Sequence, residues 1–480
     1  MEALQRLHNR GSVSTGYDID NSCKFEDAND EYFTRTNASG TNRRTWTVSL
    51  WCKRTELSTA DGLTMELWDG GVHSEATRLG FGLNNDELWY DIGYSTKFRG
   101  QTTRQYTDTA AWYHIVWKVD TTQATEADRM RLYVNGEEVT EWASRQYPTQ
   151  NFDSAVHAGT LARLGSYDSS YHGFRGYIAE FNYLDGLAAA PTEFGETDED
   201  TGIWKPKAYS GSYPGQSCYL DFSNSANLGS NAKGDDVDWT ANNITAADQA
   251  TDTPTNNFAV INTLQSNNSN LILSNGATSL IKSGNHGWQT TSANMAVRKG
   301  KWYAEFKLDT NATLIMLGVN QIEDDVAWNG SYIGAYSNST ARGMAYYSQT
   351  GYFYRNGGSG AIGSTYAAGD IIGIALCIND NLTGFMGMHK NGTWQNSQDP
   401  SAGTTNMLGL EYGNAIEEGI HYTFAISNHN GTGKVLANFG GFDGFTVSSG
   451  NADANGYGNF EYAPPTGYYA LCTKNLEEFA

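Results

Sequence analysis

The 480-residue sequence has no run of about 18 consecutive apolar residues, so no segment reads as a membrane-spanning helix. Its opening stretch, MEALQRLHNRGSVSTG, lacks the basic region and apolar core of a secretory signal, and a soluble protein is expected. Cysteine is sparse. Cys23, Cys52, Cys218, Cys377 and Cys472 lie far apart with no CxxC pair, which argues against structural zinc and against a disulfide scaffold. A reducing cytosol fits that usage. Charge is also low, at 18% against about 25% in typical domains, and the net value is −22. No cluster of Lys and Arg offsets it, so a nucleic-acid partner is not expected. Neither HExxH nor His-x-His occurs, no Gly-x-Ser-x-Gly sits between strand and helix signals, and the glycine clusters lie in strand contexts rather than in phosphate loops. No cofactor is implied.

What the chain has in quantity is 53 Gly, 29 Tyr, 19 Phe and 13 Trp, with abundant Asn, Ser and Thr. Rich in turn formers and aromatics but poor in helix formers, this is the composition of an all-β protein. TWTVSLWCKR (45–54) alternates Trp46, Val48, Leu50 and Cys52 with polar neighbours, and WYHIVWKVD (112–120) puts Tyr113, Ile115, Trp117 and Val119 on one face. RMRLYVNG (129–136) ends in Asn135-Gly136, a tight-turn signal. FRGYIAEFNYLDG (174–186) closes the set, with Tyr177, Ala179, Phe181 and Tyr183 on one side. A second series includes KGKWYAEFKLD (299–309), DIIGIALCINDNLTGFMGMHKNGTW (370–394), IHYTFAIS (420–427) and GKVLANFGG (433–441). Strand and turn spacing predicts two antiparallel β-sandwiches, over 1–190 and 258–480, each sheet with one dry face. Residues 191–257, polar and Pro/Gly-punctuated, read as a connector anchored by Trp204, Tyr209, Phe222 and Trp239. The only helix expected is a short one around residues 2–9.

Candidate chemistry is thin. Glu196, Asp198, Glu199 and Asp200 offer carboxylate pairs, but in the connector, where solvated charge is the simpler reading. Glu66 and Asp69 are three apart, which places them on opposite faces of a regular strand. His114 and His421 read as structural imidazoles within strands, and His389, beside a turn, as exposed. Asn231, Asp235, Asp236 and Asp238 could offer oxygen ligands to a cation, without the spacing of an EF-hand. Aromatic platforms for stacking on sugar rings remain: Trp68, Trp89, Tyr90, Tyr167 and Tyr171, with His172 and Arg175, in the first domain, and Trp328, Tyr332, Tyr352 and Tyr354 in the second. For each of these, packing in a core or interface is the competing explanation.

TWTVSLWCKR, WYHIVWKVD with RMRLYVNGEEV, and LGSYDSSYHGFRGYIAEFNYLDG resemble the laminin-G/concanavalin-A-like (jelly-roll) module of lectins and viral structural proteins. The calcium-ligating acids of its calcium-dependent members have no counterpart here. KGKWYAEFKL and GDIIGIALCINDNLTGFMGMHKNGTW resemble the opening strand and central hairpin of SPRY-like sandwiches, which implies binding to partners rather than catalysis. The stretch GIWKPKAYSGSYPGQSCYLDFSNSANLGSNAKGDDVDWTANN and the ending FEYAPPTGYYALCTKNL resemble segments of structural proteins of tailed bacteriophages, notably marine ones. That order of modules implies a non-enzymatic virion surface protein, on a fibre, tail or capsid appendage. It would bind host glycans or other virion proteins, and would assemble in the host cytoplasm as a homo-oligomer, a trimer being expected. A glycan-depolymerising hydrolase and a purely structural spacer or capsid decoration are the alternatives.

Overall fold

The structure, a computed structural model, describes residues 16–480 except 40–41, 58–63, 72–76, 83–84, 94–97, 167–171, 265–269, 285–286, 311–312, 323–330, 336–342, 411–415, 417 and 430. The helix expected around 2–9 lies outside the described residues. The chain is all-β and forms two compact units, Arg10–Asn256 and Asn257–Ala480. Each is a sandwich of two sheets.

In the first unit one sheet runs in the order Glu137–Glu138, Met130–Val134, Trp112–Asp120, Thr45–Arg54, Gly176–Asp185, Ser22–Phe25, Gln249–Ala250. The facing sheet runs Trp142–Arg145, Phe98–Gln105, Glu87–Ile92, Thr77–Phe81, Met65–Asp69, Leu161–Leu164, Tyr32–Thr36, Thr240–Asn242. The period-2 alternation does its work between them. Trp46, Val48, Leu50 and Cys52 meet Ile115, Trp117 and Val119 on one side and Leu67, Trp68, Leu79 and Tyr90 on the other. Trp46 and Trp117 meet edge to face, centroids 4.9 Å apart.

Two β-bulges reset the pattern expected from plain alternation. Between Ala179 and Asn182 the register with Thr45–Arg54 shifts, and Glu180 takes φ 53°. Ile178, Phe181 and Tyr183 therefore face the core, while Tyr177 lies against Trp112 and Lys53 outside it. In Met65–Asp69 the pairing steps from Glu66 opposite Gly80 to Trp68 opposite Leu79, leaving Leu67 as the extra residue. Glu66 and Asp69 thus share a face, contrary to the spacing argument. The bulge also explains Gly80, since a Cβ there would stand 2.7 Å from the Met65 carbonyl oxygen.

Residues 191–256 are part of this first unit rather than a connector. Cys218–Leu220 pairs with Gly176–Asp185, Thr240–Asn242 with Tyr32–Thr36, and Gln249–Ala250 with Ser22–Phe25. Cys218, Leu220, Phe222, Leu228, Trp239 and Ile244 sit in the main core. Phe194 and Tyr209 instead cover the sheet's outer side over Val116 and Leu184. The segment's polarity misled because its apolar residues are single and widely spaced, each filling a separate hole. Beneath it lies a buried ion pair, Lys53 Nζ to Asp252 Oδ2 at 2.7 Å, with Trp112 Nε1 donating to the other oxygen at 3.2 Å.

The second unit repeats the plan. One sheet runs Leu271–Ser274, Ser279–Lys282, Lys434–Asn438, Gly300–Thr310, Ile371–Ile378, Gly384–Lys390, Thr393–Trp394. The other runs Gln289–Ser292, Tyr422–Asn428, Ile315–Gln321, Gly343–Tyr347, Tyr352–Arg355, Gly358–Ala361. Every residue of Ile371–Ile378 is buried. Ile372, Ile374, Leu376 and Ile378 face the interior. Ala375 and Cys377 face Phe460, Tyr468, Ala470 and Cys472 from the C-terminal segment, so this sheet is dry on both sides rather than one. The chain closes with an unexpected helix, Thr473–Phe479, whose Leu476 enters the core. At two turns it is too short to show a helical period in sequence.

Candidate functional site

Most aromatic candidates of the first unit are interior. Trp68 stacks on Tyr183 with centroids 5.9 Å apart, and the Tyr90 hydroxyl donates to the Gln146 carbonyl at 2.8 Å. Trp89 lies on the outer side of its sheet but is only 1% exposed. None of these three is a solvent-facing platform. His172 is held through Nδ1 against the Thr64 hydroxyl at 3.0 Å, and Arg175 is braced by Glu56 at 2.6 Å and Asp27 at 2.9 Å. Tyr167, Tyr171 and, in the second unit, Trp328 lie outside the described residues.

The oxygens of the cation candidate are taken by protein donors. Asp235 pairs with Arg35, Asp238 accepts from the Asn231 backbone and the Asn227 side chain, both at 2.8 Å, and Asn231 Oδ1 accepts from the Tyr219 backbone at 3.0 Å. Asp236 is exposed. Among the described residues no three His, Cys, Asp or Glu side chains converge as a metal site. Asp198 is likewise a turn brace. It accepts from the backbone of Thr201 at 2.9 Å, which with the Thr201 hydroxyl and Lys205 holds its carboxyl down at about 2.

Besides His157, whose Nε2 lies 2.5 Å from the Tyr183 hydroxyl, two buried histidines meet hydroxyl groups, the geometry in which a nucleophile and base would be sought. Trp204 Nε1 donates to His114 Nδ1 at 3.0 Å, which leaves Nε2–H to donate to Ser49 Oγ at 2.9 Å. The serine is an acceptor there and is not activated. In the second unit the Gly392 backbone donates to His389 Nδ1 at 3.1 Å, so Nε2–H donates to the Tyr303 hydroxyl at 2.7 Å. That hydroxyl in turn donates a hydrogen bond to Glu305 Oε1 at 2.9 Å. Burial lowers both imidazoles to about 3, so they are neutral struts. His389 is 1% exposed, against the expectation of a surface residue, because the C-terminal segment lays Tyr462 over it.

The aromatic candidates of the second unit do converge. Along Ile315–Gln321, Gly343–Tyr347 and Tyr422–Asn428 the residues Met316, Ala345, Tyr347 and Ala425 alternate with core residues and so face outward. Residues 331–335 are strapped across this face. Ser427 Oγ accepts from the Ile333 backbone at 3.0 Å, and the Thr290 hydroxyl donates to the Ser331 carbonyl at 2.8 Å. Tyr332 is thereby set 5.2 Å from Trp288 and 5.9 Å from Tyr354, the latter at an interplanar angle of 89°. Tyr354 meets Tyr347 at 5.6 Å and 90°, and Trp288 reaches Tyr347 at 5.9 Å and His429 at 5.2 Å. Trp288, Tyr332, Tyr354 and His429 are half-buried. Tyr352, two residues before Tyr354 on the same strand, is 39% exposed. Burial pushes the Tyr332 and Tyr347 hydroxyls above their ordinary range, so they remain proton donors.

Trp288, Tyr347 and His429 escaped the sequence reading. Tyr347 carried a signal, because in Met344–Tyr347 alternation puts Tyr346 inside and Tyr347 outside. Trp288 had none, lying just before its strand in a glycine turn.

Residues 27–189 match the sequence profile of the concanavalin A-like lectin/glucanases superfamily. No curated protein matches the sequence. Among solved structures, a human SPRY domain covers 35% of this chain and 94% of its own at 16% identity, with a TM-score of 0.26. A candidate carbohydrate-binding protein from Bacteroides ovatus covers 48% and 60% at 16% identity, TM-score 0.33. A heptameric SAP-like pentraxin from Limulus polyphemus covers 48% and 97% at 13% identity, TM-score 0.30.

Proposed function

We propose that this chain is a non-catalytic recognition protein that stacks saccharide rings on the outer aromatic face of its second sandwich. The observation that carries the reading is the half-exposed network of Trp288, Tyr332 and Tyr354, with Tyr352 beside it. Edge-to-face packing holds these rings at fixed angles, so the ordering entropy of a stacking platform is met before a ligand arrives. The lectin-type profile over residues 27–189 supports a binding protein. A recognition role also agrees with histidines at 114 and 389 that are neutral and fully engaged.

The setting we propose is a virion surface, as a homo-oligomeric fibre, tail or capsid appendage of a phage. Support for it comes from the order of lectin-like module, 202–243 segment and SPRY-like module in the sequence. A glycan array probed with the full chain and with Trp288→Ala tests the recognition reading. Saturable binding lost in the variant is expected, and no binding by the intact chain would sink it. Release of reducing sugar from a bound polysaccharide would turn the reading to a hydrolase. Antibody labelling of particles in electron micrographs tests the setting.

A further inference from the structure

Cys23 and Phe25 face the core of the first unit, so alternation sends Lys24 to the other side of its sheet, where the side chain is nevertheless only 2% exposed. The register with Gln249–Ala250 continues onto it. Ser22 lies opposite Ala250 and Cys23 opposite Gln249, which places Asp248, the next residue back, across from Lys24. Lys24 Nζ meets Asp248 Oδ1 at 2.8 Å and both oxygens of Glu31, Oε1 at 2.9 Å and Oε2 at 2.7 Å. The Asp248 and Glu31 side chains are 9% and 4% exposed. Further donors fix each acid. Asn29 Nδ2 donates to Glu31 Oε1 at 2.9 Å. The Thr245 backbone and hydroxyl donate to Asp248 Oδ2 at 2.8 Å and 3.2 Å, within a capping box over Ala246–Asp248.

One carboxylate suffices to neutralise a lysine. The second makes this cluster an amine, an acyl carbon and a proton carrier held within reach of one another in a water-poor site. We propose that Lys24 and Asp248 condense to an intramolecular isopeptide bond, with Glu31 carrying the protons. Glu31 takes a proton from Nζ, and the freed lone pair attacks Cγ of Asp248. Charge gathering on Oδ2 is met by the two Thr245 donors, as in an oxyanion hole. Two protons in all pass from Nζ through Glu31 to Oδ1, the Cγ–Oδ1 bond breaks, and water leaves. Ammonium and carboxylate become a neutral amide, Glu31 ends as it began, and no oxidant or other reactant is consumed. Replacing two buried ions by an amide favours the product where water is excluded. Burial raises the Glu31 carboxyl above its ordinary range, which suits a group that takes up and returns a proton. Burial lowers the Lys24 ammonium less than Glu31 and Asp248 raise it, so the first proton transfer is slow and the link follows folding. The bond joins Ser22–Phe25 to the segment leading into Gln249–Ala250 and makes that closing pairing permanent.

Mass spectrometry of the full chain, folded, incubated and then denatured, tests the bond. Expected are the loss of one water from the sequence mass, resistance to trypsin after Lys24, and a branched peptide joining the Lys24 and Asp248 segments. Asp248→Asn would expel ammonia instead and converge on the mass of the cross-linked wild type. Lys24→Arg and Glu31→Gln should keep their full sequence masses. An unmodified mass in the folded wild type overturns the proposal, whether or not the variants fold. So does a lost water confined to a single peptide, as an aspartyl imide would leave it, or a branch through the other buried pair, Lys53 and Asp252, in its place. An undiminished cross-link in Glu31→Gln overturns the role of Glu31.

Discussion

Asn135 holds His114 by two bonds of 2.8 Å. Its backbone N–H donates to the His114 carbonyl, and its side-chain oxygen accepts from the His114 N–H. Asn391 does the same to Ile371, at the same two distances, in the other sandwich. Both asparagines are left-handed, φ 50° and 48°, and both are followed by glycine at φ 80° and 79°. A ring from the overlying segment seats on each glycine, Trp204 on Gly136 and Tyr462 on Gly392. Asn135→Ala should therefore cost about 1–2 kcal/mol, through the lost bond and the strained φ. Gly136→Ala should cost more, since its Cβ would lie 2.5 Å from the Trp204 ring. Thermal melts of the two variants check the order.

Glu305 gives the second unit a pH signature. It accepts from the backbone of Glu461 at 2.9 Å and of Tyr462 at 2.8 Å, yet burial outweighs these bonds and raises its carboxyl to about 7. The folded state thus keeps a proton that the unfolded chain releases near 4.5. Stabilisation from this group is complete below pH 4.5 and is lost as pH rises through about 7. Glu305→Gln, neutral throughout, should gain about 1–3 kcal/mol on the wild type between pH 5 and pH 8. Chemical denaturation at the two pH values measures it, and equal shifts would contradict the assignment.

A chain ended at residue 190 should not fold as a sandwich. It would lack the strands Cys218–Leu220, Thr240–Asn242 and Gln249–Ala250 and the buried Trp239, whose indole donates to Cys218 Sγ at 3.3 Å. Ending it at 256 should give a cooperative melt. In the full chain, Trp239→Ala should cost about 3–5 kcal/mol. Near-ultraviolet circular dichroism of the two truncated chains separates the cases.

Tyr354→Ala should abolish or strongly weaken the saccharide binding proposed for the aromatic face while lowering stability by no more than about 1–2 kcal/mol, because its ring is only half-buried. Tyr352→Ala, at a more exposed ring, should reduce affinity with almost no change in melting temperature. Array signal and melting temperature measured on the same samples test the separation.

The sandwich class was legible because alternation at Trp46–Cys52 and Ile372–Ile378 and the two Asn-Gly turns are local signals. Bulges are not local, as Glu180 and Leu67 show. Each depends on what the neighbouring strand tolerates, so plain counting put Tyr177 inside and Glu66 opposite Asp69. The role of Trp239 was hidden for another reason, since one large ring among polar residues has no period to detect. The aromatic face was half legible. Tyr332, Tyr352 and Tyr354 stood out by type, but only the strap through Thr290 and Ser427 brings Tyr332 to Trp288.

The pairing of Ser22–Phe25 with Gln249–Ala250 constrains how the first unit is made. Ser22 lies opposite Ala250, more than two hundred residues later in the chain. At about 5–20 residues per second of synthesis, the early strand waits roughly 10–45 s for its partner to be translated. Until then the edge of Ser22–Phe25 that Gln249–Ala250 covers stays open to other nascent chains, so the yield of this protein should depend on translation speed and on chaperones that shield an early edge.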